Sequence, residues 1–216
     1  MKLGRKISNC VTMNSVRTMT MLYSNRTRSH ISCALFLLSA IPLLGSWTAG
    51  SVNSPVPEYR LRLYHTHTNE RIDLVYRRGD TYVPDAIAKL DYFLRDHRTG
   101  DVHHYDPRVF DLLEDLTSAV GHADQEIDII CGYRTPWSNN FLRTHSSGVA
   151  EHSLHMLAEA IDIRMPGVDT YKLREAALSL HRGGVGYYPQ SDFVHVDVGP
   201  VRHWCLGCTA KEVAGN

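Results

Sequence analysis

The 216-residue chain has no excess of charge of either sign, because 23 lysine and arginine residues balance 23 aspartate and glutamate residues. Binding to nucleic acid requires a clustered basic excess, so the composition argues against a nucleic-acid partner. Internal repeats and low-complexity stretches are also lacking. The apolar fraction of 43% is normal for a globular protein, and the length predicts one domain with a leader or tail.

Long hydrophobic runs are lacking as well. The apolar run over 31–44 contains Pro42 and is shorter than the stretch of about 20 residues that spans a membrane. Two basic residues, Arg26 and Arg28, precede this run, and small residues follow it at 48–50. A basic, then an apolar, then a small-residue segment is typical of a secretory signal. We therefore predict an exported protein, with an uncleaved N-terminal anchor in the inner membrane as the alternative.

These features divide the chain into four parts. Pro55 and Pro57 mark a linker between the apolar leader and the first strand pattern. The start of the leader is open, because Met19 and Met21 are alternative first residues. We predict a leader over 1–50, a linker over 51–57, a folded domain over 58–208 and a tail over 209–216.

Cysteine is scarce, since the chain after the leader contains only Cys131, Cys205 and Cys208. No second C-x-x-C pair is present to complete a four-cysteine zinc site. In an oxidising compartment we expect Cys205 and Cys208 to pair, which leaves Cys131 buried and free. A redox protein built on this motif is a weak alternative, because the motif lacks a βαβ context.

Hydrophobic periodicity predicts an α+β fold. Apolar residues alternate over 59–64 and again over 72–76, which indicates a β-hairpin. Helical spacing and capping residues predict helices over 84–95, 107–121, 136–143 and 169–181. Asp106 and Asp169 are the expected caps of the second and fourth helices, and Gly183–Gly184 is expected to end the fourth. Further strands over 126–131, 160–164, 185–188 and 193–198 complete a small, mainly antiparallel sheet with flanking helices.

Two strands carry the chemistry. In the strand over 160–164, Ile161 and Ile163 face the core while Asp162 faces the other way, and His155 precedes this strand. In the strand over 193–198, His195 and Asp197 share the face opposite the valines. Two histidines and one carboxylate form a three-ligand zinc set with a fourth position open for water, whose pKa the metal lowers.

A third group follows the strand over 126–131. Arg134, in the sequence Gly-Tyr-Arg-Thr-Pro, is placed in a loop where it can stabilise the oxyanion of a tetrahedral intermediate. Each residue alone has an ordinary structural interpretation. The chain has 13 histidines, most of them expected to be surface residues, and Arg134 alone fits a turn with a surface ion pair.

Taken together and in order, these motifs resemble one family. The chain is similar to the MepK-type murein endopeptidases, within the zinc D-Ala-D-Ala peptidase group related to hedgehog and lysostaphin, in the segments Cys131-Gly-Tyr-Arg-Thr-Pro136, Ser153-Leu-His155 through Asp162, Gly183-Gly-Val-Gly-Tyr-Tyr-Pro189, Phe193-Val-His-Val-Asp197 and Val201-Arg-His-Trp204. The resemblance implies a hedgehog/D,D-peptidase fold and a Zn²⁺ ion bound by the residues matching His155, Asp162 and His195. It also implies a periplasmic enzyme whose substrates are the stem peptides of peptidoglycan, at bonds that contain meso-diaminopimelate.

The resemblance leaves the general base open. Related peptidases place a glutamate three residues before the last ligand, where this chain has Asp192, or a histidine two before, where it has Phe193. We favour Asp197 as the base or as the residue that orients His195, with Asp192 as the alternative and His152 third. The family usually has glycine at the position of Ala158, and alanine is the mildest replacement unless the site needs a positive φ.

The leading hypothesis is a zinc-dependent endopeptidase that hydrolyses cross-links between stem peptides. A D,D- or L,D-carboxypeptidase with the same chemistry is the first alternative. A wall-binding module that keeps the fold without the chemistry is the second, although such a module has no need for His155, Asp162, His195 and Arg134 together.

Overall fold

The computed structural model describes residues 55–146 and 148–209. The predicted leader over 1–50 lies outside the described residues, as do the first four residues of the linker and nearly all of the tail. Within the described part, no helix is both long enough and apolar enough to cross a membrane.

One mixed sheet of eight strands organises the domain, in the order β3-β2-β1-β4-β5-β7-β6-β8. The strands are β1 (Glu58–His65), β2 (Arg71–Arg78), β3 (Thr81–Tyr82), β4 (Glu126–Cys131), β5 (Ala160–Arg164), β6 (Gly184–Tyr188), β7 (Phe193–Asp197) and β8 (Arg202–Cys205). The β1–β4 and β6–β8 pairs are parallel and the other five are antiparallel. The α+β class and the mainly antiparallel pairing are confirmed, but the sheet is larger than the small one expected.

One buried cluster forms the core and joins strands from both halves of the sheet to three helices. The predicted hairpin is present as β1 and β2, and β1 turns Leu61 and Leu63 inward at alternate positions. These leucines join Leu90 and Leu113 in one buried cluster. Burial of each such side chain contributes about 1.5–3 kcal/mol, which fixes the register of the hairpin against the helices.

Four α-helices and one 3₁₀ helix complete the domain. They are α1 (Pro84–Phe93), α2 (Arg108–Ala119), α3 (Pro136–His145), the 3₁₀ helix (Leu154–Leu157) and α4 (Thr170–Leu180). The caps follow the sequence, because Asp169 accepts hydrogen bonds from the backbone of Tyr171 and Lys172 at the start of α4. Asp106 accepts from the backbone N–H of Arg108 as expected, but Pro107 takes the cap position, and α2 begins one residue later than predicted.

The end of α4 differs from the prediction. His181 adopts the left-handed conformation there, with φ 51°, and Gly183 lies beyond the helix. Gly183 and Gly184 instead make room for Asp197. A Cβ atom on Gly184 would lie 2.4 Å from the Asp197 carboxylate, closer than a carbon atom can approach. A Cβ atom on Gly183 would likewise clash with the backbone carbonyl of Asp197, so both glycines allow a close approach to this residue and do not end the helix.

Strand β8 was missed by the sequence analysis and closes one edge of the sheet. It pairs with β6 in parallel, and Cys205 at its end forms the expected disulfide with Cys208. Cys131 is buried and free, as predicted. Strands β5 and β7 lie in the middle of the sheet, so side chains on their polar face are held by neighbours on both sides.

Candidate metal centre

The 3₁₀ helix fixes the orientation of His155. Ser153 caps this helix, and the His155 Nδ1 atom lies 2.7 Å from the carbonyl oxygen of Gly132. A carbonyl oxygen only accepts hydrogen bonds, so Nδ1 carries the proton and donates. The Nε2 atom therefore presents a lone pair to the cleft, which is the tautomer that a metal ligand needs.

Strand pairing brings the other two predicted ligands together. Asp162 on β5 lies directly opposite His195 on β7, so both side chains leave the same face of the sheet. The His195 Nδ1 atom lies 2.8 Å from the Asp162 Oδ1 atom. Neighbouring Ile161 and Val196 are fully buried on the other face, which prevents a one-residue slip of this register.

Three donor atoms converge at one point of the cleft. The His155 Nε2 atom lies 3.2 Å from Asp162 Oδ1 and 3.1 Å from His195 Nδ1. Zinc bonds of about 2.0–2.2 Å in tetrahedral geometry separate ligand atoms by about 3.3–3.6 Å, slightly more than these distances. Two of the atoms, His155 Nε2 and Asp162 Oδ1, are both acceptors, and a cation between them removes their repulsion. The donor set therefore fits a divalent metal ion.

Electrostatics at this point favours a neutral His155 and an ionised Asp162. Burial lowers the pKa of His155 to about 4, so its imidazole is neutral at pH 7. Burial alone would raise the pKa of Asp162, but His155 and His195 outweigh that effect and hold the pKa well below its usual range. Burial opposes protonation of His195, but hydrogen bonds to Asp162 and Asp197 raise its pKa.

Asp197 lies behind His195 and away from the three donor atoms. Its Oδ2 atom is 3.1 Å from the His195 Nε2 atom, and Arg202 donates to both of its oxygens at 3.0 and 2.7 Å. The backbone N–H groups of Gly184 and Gly199 each donate to Oδ1 at 2.9 Å. The carboxylate is fully buried, and although burial opposes it, these donors hold its pKa well below the usual range. This arrangement orients His195 so that Nδ1 faces the centre.

Arg134 lies beside the centre, as the sequence predicted. Its NH2 atom is 3.6 Å from Asp162 Oδ2, and its NH1 atom is 3.4 Å from the Asn139 side-chain oxygen. The Nε atom is buried without a hydrogen-bond partner in the described part of the chain. Burial alone would lower the pKa of the guanidinium, but Cys131 and Asp162 raise it, so the group is a permanent cation.

Cys131 also lies at the centre, which the sequence analysis did not predict. One donor atom each of Cys131, His155 and Asp162 lie within 4.8 Å of one another. Burial raises the pKa of the thiol to about 11, so Cys131 is a neutral, apolar neighbour. Its position follows from its pairing with Asp162 across β4 and β5.

Comparison with known proteins assigns the chain to a family. Residues 54–204 match the family model described as "Peptidoglycan L,D-endopeptidase MepK". The chain belongs to this family. The match covers more than half of the chain and includes every motif on which the sequence resemblance rested, so the resemblance is confirmed.

Individual relatives agree with the family model. The chain is 40% identical over 164 residues to the "Probable peptidoglycan L,D-endopeptidase MepK" of Haemophilus influenzae, covering 76% of this chain and 88% of that protein. It is 39% identical over 170 residues to the "Peptidoglycan L,D-endopeptidase MepK" of Escherichia coli K12, covering 74% of this chain and 93% of that protein. No solved structure matches significantly.

Of the other two candidates for the general base, His152 lines the cleft and Asp192 does not. Asp192 is 58% exposed at its side chain and contacts Arg164 at 3.4 Å and Thr170 at 3.1 Å, outside the residues that line the cleft. His152 lines the cleft and is exposed. Among the described residues, Asp162 is the only carboxylate that lines it.

Two aromatic residues complete the wall next to His195, and their packing was not predicted. The Trp204 ring lies 5.1 Å from the His195 ring, and its Nε1 atom donates to the Tyr188 hydroxyl at 2.9 Å. A Cβ atom on Gly186 would lie 2.5 Å from the indole, so only glycine leaves room for it. The glycine between Val185 and Tyr187 was the available sequence signal for this close approach.

Ala158 carries backbone strain below the centre. It ends the 3₁₀ helix in the left-handed conformation, with φ 53°. This is the positive φ at which alanine is not a mild replacement for glycine, because its Cβ atom costs about 1–2 kcal/mol there. The buried neighbours hold the conformation in place.

Proposed function

We propose that the chain is a zinc-dependent endopeptidase that hydrolyses cross-links between the stem peptides of peptidoglycan. The observation that carries the proposal is the convergence of His155 Nε2, Asp162 Oδ1 and His195 Nδ1 within 3.2 Å of one another at a cleft. The names of the relatives, peptidoglycan L,D-endopeptidases, support the substrate class. Two histidines and one carboxylate are the protein ligands of many catalytic zinc sites.

The side chains of His155, Asp162 and His195 would hold the metal at the cleft. When bound, zinc supplies a Lewis acid that polarises the scissile carbonyl and lowers the pKa of a water molecule. Asp197 keeps His195 in its ligand orientation through the hydrogen bond to Nε2. Arg134 donates to the oxyanion that develops on the scissile carbonyl, because its cation lies beside Asp162 at the cleft.

The charge of the cleft supports an acidic substrate. Although the whole chain is neutral, the described residues that line the cleft include three arginines, Arg98, Arg134 and Arg202, against one carboxylate, Asp162. A cleft of one charge sign attracts ligands of the opposite sign. Stem peptides carry several free carboxylates, so they match this surface.

Location and domain limits belong to the same proposal. We place the enzyme in the periplasm, delivered by the leader over 1–50, with the zinc peptidase domain over 58–208 between a linker and a short tail. Peptidoglycan lies outside the cytoplasmic membrane, so an enzyme that acts on it must be exported.

Replacement of Arg134 by alanine is expected to lower kcat by about 10²–10³-fold, as for loss of one oxyanion donor, with zinc still bound. Turnover and zinc content are measured on the same preparation. Arg143→Ala is the matched control, because Arg143 pairs with Glu151 at 3.4 Å and does not line the cleft. Loss of zinc together with activity would instead make Arg134 a structural residue.

Mass analysis of muropeptides tests the reaction itself. Cross-linked muropeptides incubated with the purified protein are expected to give pairs of smaller stem peptides whose masses sum to the substrate plus one water. Loss of a single terminal residue would instead identify a carboxypeptidase. Unchanged masses, with protein that still sediments with the wall, would identify a binding module.

A further inference from the structure

Arg98 differs from every other described arginine. The remaining arginines each form an ion pair with an acidic side chain within 4.0 Å, whereas Arg98 forms none within the described residues. Arg98 lines the cleft, where Arg134 and Arg202 are paired with Asp162 and Asp197. The Arg98 guanidinium is exposed and forms no ion pair, so its two parallel N–H groups are available to a ligand in the cleft.

Two histidines line the same cleft with Arg98. The rings of His67 and His97 stack with 4.1 Å between centroids and 10° between planes. Within the described part of the chain, neither ring makes a side-chain hydrogen bond. Burial lowers the pKa of His97 to about 4, so this ring is neutral at pH 7 and offers one N–H donor. Arg98 therefore supplies a permanent positive charge, and the stacked pair supplies further polar contacts.

The segment that carries Arg98 is fixed to the metal centre. Buried Asp96 accepts a hydrogen bond from the backbone N–H of Arg98 at 2.9 Å. The other Asp96 oxygen accepts from the Thr135 backbone at 2.8 Å and from its hydroxyl at 2.9 Å, directly after Arg134. The backbone of Tyr133 also bonds to the carbonyl of Leu94. The backbone position of Arg98 relative to Arg134 is therefore set by the folded protein before a ligand arrives.

We propose that Arg98, together with the stacked His67–His97 pair, forms a subsite that binds a free carboxylate of the stem peptide and so determines which peptides are cleaved. This inference rests on the proposed function. A planar guanidinium matches a carboxylate with two parallel N–H···O bonds, and the rigid backbone reduces the entropy lost on binding. A contact that substrate and transition state make equally changes KM and leaves kcat unchanged, which is the effect we assign to Arg98.

The test compares Arg98→Ala with the wild type, both loaded with zinc, on muropeptides whose carboxylates are all free or converted to amides one at a time. For the free-acid substrate, Arg98→Ala is expected to raise KM about tenfold and leave kcat nearly unchanged, the effect of losing one charged hydrogen bond. For one of the amidated substrates, we expect the wild-type KM to be about tenfold higher than for the free-acid substrate. On that substrate, the KM values of Arg98→Ala and the wild type are expected to be nearly equal. That substrate identifies the carboxylate. Arg78→Ala is the matched control, since Arg78 pairs with Glu58 away from the cleft.

Equal KM values for wild type and Arg98→Ala on the free-acid substrate would overturn the subsite. The subsite would also be overturned if Arg98→Ala raised KM by the same factor on every amidated substrate, because then none of the modified carboxylates would be the one that Arg98 contacts. Calorimetric titration of the same peptides gives a readout that does not need turnover. If the wild type cleaves no muropeptide, the proposed function fails, while a weaker affinity of Arg98→Ala for the free-acid peptide alone still supports the subsite.

Discussion

Replacing His155 by alanine is expected to remove both the bound metal and peptide hydrolysis. His155 supplies one of only three protein donor atoms, and its Nε2 atom lies 3.1–3.2 Å from the other two. Two remaining ligands hold a zinc ion too weakly to compete with water and buffer, and hydrolysis depends on the metal. We expect the same result for Asp162→Ala and His195→Ala.

The measurement is zinc content after dialysis, together with turnover and the rise in melting temperature on adding zinc. A ligand that binds only the folded state raises its stability, so zinc is expected to raise Tm of the wild type and not of the variants. His122→Ala is the control, because His122 is exposed and does not line the cleft. Full zinc content and normal turnover in any ligand variant would remove that residue from the ligand set.

The second large effect is expected at Asp197. Asparagine keeps the size of this side chain, but its amide N–H₂ replaces one of two oxygens that each accept from Arg202 at 2.7–3.0 Å. At the Oδ1 position the N–H₂ also meets the N–H groups of Gly184 and Gly199, and at the Oδ2 position it meets His195 Nε2. The negative charge that His195 faces is lost in either case. The contact that orients His195 is then lost or weakened. We expect Asp197→Asn to bind zinc about 10–100-fold more weakly and to lose activity at limiting zinc.

Asp192→Asn is the matched comparison, because it makes the same chemical change on an exposed aspartate five residues away. Its contacts to Arg164 and Thr170 lie outside the cleft, so we expect zinc affinity close to that of the wild type. Metal titration and turnover at saturating zinc separate the two roles. A dead Asp192→Asn enzyme that still binds zinc would identify Asp192 as the general base.

Local patterns in the sequence predicted the strands of the site correctly. Alternation over β5 and β7 placed Asp162, His195 and Asp197 on the polar face, and the structure brings Asp162 and His195 opposite one another. Alternation depends only on the two-residue period of a strand, so it needs no knowledge of neighbouring elements. The ligand set itself stays a prediction until the metal is measured.

The partners of these residues could not be predicted in the same way. Asp197 receives its hydrogen bonds from Arg202 and from two glycines in separate segments, a set that only the pairing of β6, β7 and β8 brings together. Strand β8 has no clear alternation and is a strand because it pairs with β6. His67 and His97 are thirty residues apart and meet through packing at the cleft.

The left-handed conformation of Ala158 also could not be predicted from the sequence. The family resemblance implied glycine and so a positive φ at this position, but the alanine in this chain gave no local signal of the left-handed conformation that ends the 3₁₀ helix. The size of the sheet could not be predicted either, because the parallel β1–β4 and β6–β8 pairs join strands that are not consecutive along the chain.

Metal analysis of the purified, unmodified protein tests the central claim most directly. Inductively coupled plasma mass spectrometry is expected to find about one zinc per chain, which a chelator removes together with muropeptide cleavage and which added zinc restores. A protein that holds no zinc after exposure to it, or that cleaves muropeptides equally well after chelation, would contradict the assignment of His155, Asp162 and His195 as a catalytic zinc site.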